Sequence, residues 1–258
     1  MIGSLNRGDV RFLIETLAPA REDAERLVDF VQGDRQTLES MLDDERVFRR
    51  LLKADDVLAR VTPRLFFTVL LRRAARDLAR EVFTVELRQR QKVFLFDSDK
   101  VIELLEDERL RDYLASMLAS FTRIQSLTVR VRARPGVWRR YRTSDLDVEG
   151  LMRYCQALES ELRYGCYRRI GDVCLFLAGL FPEHIESQRR YPLSGQLRPA
   201  ARSRLLTRLE DYESYGQSFY RLAGEHEAAR LEGLEETLGR LSADFVLAEK
   251  ALRFVGNR

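Results

Sequence analysis

A chain of 258 residues, 45% hydrophobic and 33% charged, has the balance of a folded globular protein and excludes a disordered one. Its formal net charge of +3 is too small to imply a polyanion partner for the whole molecule, so such a partner has to be read from local clustering. Six prolines and 14 glycines favour long helices over many short strands, and the length suffices for two domains.

Of the 44 basic residues only Lys53, Lys92, Lys100 and Lys250 are lysine. The arginine bias runs through the whole chain and lowers the weight of any single arginine cluster. Cys155, Cys166 and Cys174 are odd in number and lack C-x-x-C spacing, which predicts reduced thiols. The first residues lack the apolar core of a signal peptide. The longest apolar run, Val173 to Phe181, is far short of the roughly 20 residues that cross a bilayer. These features predict a cytoplasmic protein without membrane contact.

In chain order, Val10, Leu13, Ile14 and Leu17 fall at helical spacing, and Pro19 ends that segment. Leu27, Val28 and Val31 mark a second helix that stops near Gly33. MLDDERVF and LLEDERLR, at 41–48 and 104–111, place acids where a helix start accepts from free N–H groups; a reused cap explains the likeness better than a duplication. Thr62-Pro63 opens a helix to about Phe83, with Arg72, Arg76 and Arg80 on one face, read as a solvated stripe. Lys92 to Phe96 has the β-prone character of a short strand. Helices follow over 98–106 and 108–123.

At 127–142 the period changes from 3.6 to 2, which predicts two strands around Pro135-Gly136. A three-residue loop would put Val129 opposite Tyr141, Ala133 opposite Val137, Arg130 opposite Arg140 and Arg132 opposite Trp138. Like charges facing each other are destabilising unless an anion or acid compensates. The order of elements over 63–142 resembles a winged helix, which would enter a DNA groove with its third helix and touch the backbone with its hairpin. In that helix Arg111, Ser116, Ser120 and Arg123 are the best base-reading side chains, and Asn and Gln are absent.

Beyond Asp145 the chain reads as helical again, with a helix at 172–181 buried on every side and ended by Pro182. Gln188 to Arg208 reads as a loop leading into a helix and carries six arginines and no acid. The small and aromatic positions Gly216, Phe219, Gly224, Ala228, Phe245 and Ala248 resemble the paired helices of tetratricopeptide repeats. The full repeat of about 34 residues is not reached, so plain antiparallel helices with small residues at crossings are the favoured reading.

The resulting expectation is a mainly α, multi-helix protein with one small β element. That element is a short strand plus a basic β-hairpin, winged-helix-like in the middle and followed by antiparallel helical pairs. Its segments are N-terminal helices at 1–62, the winged-helix-like segment at 63–144 and a helical domain at 145–258. No catalytic constellation is indicated. Neither His184 nor His226 has metal-site spacing, and phosphate-loop, dinucleotide and nucleophile-elbow motifs are absent. No cofactor and no metal are expected.

The favoured function is a non-enzymatic regulator that binds DNA or RNA and associates with itself or a protein partner through its C-terminal helices. Its nucleic-acid contacts would be Arg130, Arg132, Arg134, Trp138, Arg139, Arg140 and Arg142, assisted by Arg189 and Arg190. The alternative is an all-helical scaffold or adaptor with no nucleic-acid binding.

Overall fold

The computed structural model describes residues 5–20, 23–53, 60–80, 85–88, 91–94, 98–123, 126–134, 137–144, 146–190 and 206–257. Side chains are described except at 24, 85–88, 91–94, 126–143 and 187–190. The chain divides into two compact units, Met1–Thr122 and Arg123–Arg258.

In the first unit, Asn6 opens α1 (Arg7–Leu17) by accepting from the Asp9 N–H at 2.7 Å. That satisfies one of the free donors of a first helical turn. Next come α2 (Ala24–Gly33), α3 (Arg35–Leu42), which Asp34 caps through the N–H groups of Gln36 and Thr37, and α4 (Glu45–Lys53). The Thr62 hydroxyl accepts from the Leu65 N–H at 3.2 Å and starts α5 (Pro63–Arg80), with proline at its first position. Asp9, buried in α1, accepts from the Thr62 N–H at 2.8 Å and from its hydroxyl at 2.7 Å, which ties α1 to the start of α5. Val10, Leu13, Leu42, Val47, Leu65 and Val69 are fully buried in one core between these helices.

Two further helices, α6 (Ser98–Glu106) and α7 (Glu108–Ser120), pack on α5 and bury Leu104, Leu105, Leu110, Leu114 and Leu118. Both D-E-R stretches act as helix starts. Asp44 accepts from the Arg46 N–H at 2.8 Å, and Asp107 accepts from Arg109 at 2.9 Å and Leu110 at 3.2 Å.

The second unit is organised around α9 (Tyr164–Leu180), preceded by α8 (Val148–Gln156) and a 3₁₀ turn at Ser160–Leu162. The buried segment expected at 172–181 thus forms the second half of α9. Phe181 ends α9, and Pro182 starts α10 (Pro182–Arg190). The rest is α11 (Leu209–Gly224), α12 (Glu227–Leu231), α13 (Glu235–Ala243) and α14 (Phe245–Gly256). α9 packs against α8, α11 and α14, and buries Val173, Cys174, Leu175 and Ala178 completely.

Small residues set these crossings. A Cβ on Gly171 would stand 2.8 Å from Cδ1 of Tyr220, so α9 and α11 approach as closely as they do because that position has none. The Tyr220 hydroxyl then donates to Asp172 Oδ1 at 2.9 Å, which gives a buried carboxylate a partner across the same crossing.

The β structure departs from expectation. Val85–Arg88 (β1) pairs with Gln91–Phe94 (β2), and Ser126–Arg134 (β3) pairs with Val137–Ser144 (β4), each as a separate two-stranded antiparallel ribbon. The expected fold class, with one small β element completing a winged-helix-like centre, is therefore corrected to helical packing in both units. Every buried residue whose side chain is described lies in a helix or at a helix end, and among the described residues neither ribbon joins a wider sheet. The physical reason is that α5, α6 and α7 close their own leucine core inside the first unit, whereas the 126–144 segment belongs to the second. The mainly α character stands.

Candidate anion sites

The arginine segment rests on the β3–β4 ladder, whose backbone register pairs Val129 with Tyr141, Arg130 with Arg140, Val131 with Arg139 and Arg132 with Trp138. It differs from the expected tip: an irregularity between Arg132 and Arg134 leaves Arg134, rather than Ala133, paired with Val137. The Pro135-Gly136 turn lies outside the described residues, and so do the side chains of Arg130, Arg132, Arg134, Trp138, Arg139, Arg140 and Arg142. Arg189 and Arg190 end α10, and their side chains are likewise outside. Of the segment at 188–208 expected to be a loop leading into a helix, residues 188–190 lie in α10 and 191–205 lie outside the described residues.

The winged-helix reading of α7 also fails at its side chains. The Ser116 hydroxyl donates to the Asp112 carbonyl at 2.8 Å, and Ser120 donates to the Met117 carbonyl at 2.6 Å. Arg111 turns back and donates to the Leu105 carbonyl at 2.8 Å. Three of the four side chains named for base reading are thus bonded within α6 and α7.

The stripe on α5 is a solvated face only at Arg80. The Arg72 side chain is only 8% exposed, and its Nε donates to Asp43 Oδ1 at 2.8 Å while Nη2 donates to Oδ2. Burial works against the charge on Arg72, but the hydrogen bonds and charge of Asp43 outweigh it and raise its pKa. Asp43 in turn is held below the usual carboxylate range. Burial alone would raise it, and Arg72, Arg76 and Arg111 overcome that.

With both carboxylate oxygens engaged by Arg72, the other guanidiniums settle for less. Arg76 Nη1 donates to the Asp43 carbonyl, its Nε stands 3.8 Å from Oδ1, and its Nε and Nη2 are buried with no hydrogen-bond partner. Burial pulls both Arg76 and Arg111 below the usual guanidinium range, and neighbouring arginines add to the effect. The nearby acids are already committed. Arg73 takes Asp77 at 2.9 Å and Glu45, and Arg35 takes Glu39 at 2.8 Å and Glu108. A guanidinium edge with no carboxylate on it is a receptor for oxyanions. Sequence reading noticed the i, i+4 spacing of Arg72 and Arg76 but not their burial, nor the carboxylate from the α3–α4 turn that holds them.

His226 caps α12, its Nδ1 accepting from the Ala228 N–H at 3.2 Å, which makes Nε2 the donor to the Ser160 carbonyl at 3.1 Å. Beside it Tyr164 and Arg168 share Glu232 Oε2 at 2.9 and 2.8 Å, and burial with that carboxylate pushes the tyrosine up to about 12. Cys174 is fully buried, and burial pushes its thiol up, which makes it a poor nucleophile.

Among the described residues no group of three histidine, cysteine or carboxylate side chains is placed to hold a metal, and no helix is long and apolar enough to cross a membrane. No protein-family model, curated protein or solved structure matched the chain.

Proposed function

We propose that the chain is a non-enzymatic regulator that binds nucleic acid through the arginine segment Val129–Arg142. The observation that carries this is the register of Arg130 opposite Arg140. Two cations set across a ladder repel, by an amount of the order of 0.2–1 kcal/mol per pair, and a phosphate between them reverses the sign. The segment holds six arginines and no acid in a chain that is otherwise nearly neutral, so the local field contrasts with the rest of the molecule. Contacts of this kind are made to phosphates, so they confer affinity and position without reading sequence.

An electrophoretic mobility shift with duplex and single-stranded probes tests the proposal. The wild-type chain retards a probe at low salt, and the Arg130→Gln, Arg132→Gln, Arg140→Gln triple variant retards it far less. Retention of full binding by the triple variant counts against the segment.

A second reading, a helical scaffold or adaptor, is favoured by Leu162 and Leu231 in the second unit, which are 64% and 83% exposed. On that reading nucleic acid is not bound, and charging Leu231 weakens self-association or capture of a protein partner.

A further inference from the structure

We infer that the arginine cluster of the first unit is a binding site for a phosphate group, formed by Arg76, Arg111 and Arg80 around the Arg72–Asp43 pair. The inference starts from charge. Arg72, Arg76 and Arg111 come from α5 and α7 and surround one carboxylate, Asp43, at the end of α3. Arg72 uses both of its oxygens, so Arg76 and Arg111 are left with the backbone carbonyls of Asp43 and Leu105.

Carbonyls do not neutralise charge, and the Asp43 carboxylate stands 3.8 Å from Arg76 Nε, beyond a hydrogen bond. Arg80, one turn beyond Arg76, is exposed and has no acid partner among the described residues. Its charge acts on Arg76.

The second observation is the pair of buried Arg76 nitrogens, Nε and Nη2, with no acceptor. Buried N–H groups of this kind are rare because each forfeits its water without replacement. The Arg76 side chain is nevertheless 33% exposed, so solvent reaches the cluster and an anion can approach from that side. Rotation of Arg76 away from the Asp43 carbonyl presents its Nε–Nη2 edge as a fork, the geometry that matches two phosphate oxygens. The supporting side chains sit on helices packed through leucines, so the site is held by rigid elements.

Thermal unfolding of the full chain in inorganic phosphate against chloride at matched ionic strength tests this, with ATP as a second probe for a nucleotide source. The wild type gains a saturable rise in Tm, equivalent at 100 times Kd to about a hundredfold smaller unfolding constant. Arg76→Gln and Arg111→Gln lose that rise. The triple variant of the 129–142 segment keeps the rise, which separates this site from the proposed nucleic-acid contacts. A rise with inorganic phosphate identifies a free anion, and a rise with ATP alone identifies a nucleotide phosphate. Should either glutamine variant fail to fold, Arg80→Gln at its exposed position reads the same site and weakens the anion by up to about fivefold. The absence of any rise beyond chloride overturns the inference. So does a rise that survives in the arginine variants or disappears in the triple variant.

Discussion

The backbone of Gly216 in α11 lies so close to the Phe245 ring of α14 that a Cβ there would stand 2.2 Å from Cε2. Phe245 is fully buried beside Tyr220, with ring centroids 6.1 Å apart, so it has no room to retreat. Gly216→Ala therefore overpacks the crossing and destabilises by about 1–3 kcal/mol, although alanine is the better helix former. Gly239 in α13 is exposed, and a Cβ there would meet nothing within 4 Å, so Gly239→Ala stabilises by roughly 0.5–1 kcal/mol. Urea denaturation of the two variants gives opposite signs if the crossing is as described.

Asp9 offers a second check, in the first unit. Asp9→Ala removes the acceptor for both the N–H and the hydroxyl of Thr62 in a buried setting. The expected loss is about 1–3 kcal/mol, the cost of leaving a buried donor unsatisfied. A loss under about 0.5 kcal/mol in chemical denaturation contradicts the pin between α1 and α5.

Truncating the core of α9 separates two neighbours. Leu175 is fully buried, and Leu175→Ala costs about 2–5 kcal/mol. Phe176 is half-buried and packs on Phe181 with centroids 5.3 Å apart, so Phe176→Ala costs less than Leu175→Ala. Equal losses in equilibrium unfolding argue against the described orientation of the helix.

Acid acts through Asp43. Its pKa is depressed in the folded chain, so the stability it provides is present above the unfolded value of about 3.9 and is lost as pH falls through the lower folded value. The midpoint of urea unfolding therefore drops as pH is lowered from about 5 towards about 3. Asp43→Asn loses part of that acid sensitivity. An identical pH profile for the variant contradicts the pairing with Arg72, Arg76 and Arg111.

Much of the helical framework was legible because its signals are local. Thr62, Asp44 and Asp107 cap the helices they precede, and a cap is a bond between near neighbours in sequence. What sequence reading missed depends on distant partners. Arg72 and Arg76 look solvated until Asp43, 29 residues from Arg72, is folded against them. The β1 partner of the expected strand was missed because VELR carries no stronger pattern than its surroundings. The winged-helix order was misleading for a related reason. Element order does not say which segments share a core, and here 123–144 went with the C-terminal helices.

The most direct test of the account is the salt dependence of nucleic-acid affinity, followed by fluorescence anisotropy with a labelled duplex at several salt concentrations. Each phosphate contact contributes about 0.9 to the slope of log K against log salt through counterion release. The wild-type chain is predicted to bind at low salt with a steep slope, and the Arg130→Gln, Arg132→Gln, Arg140→Gln variant to lose roughly two to three units of it with its fold intact. No binding by the wild type at low salt, or an unchanged slope in the variant, contradicts the proposed function.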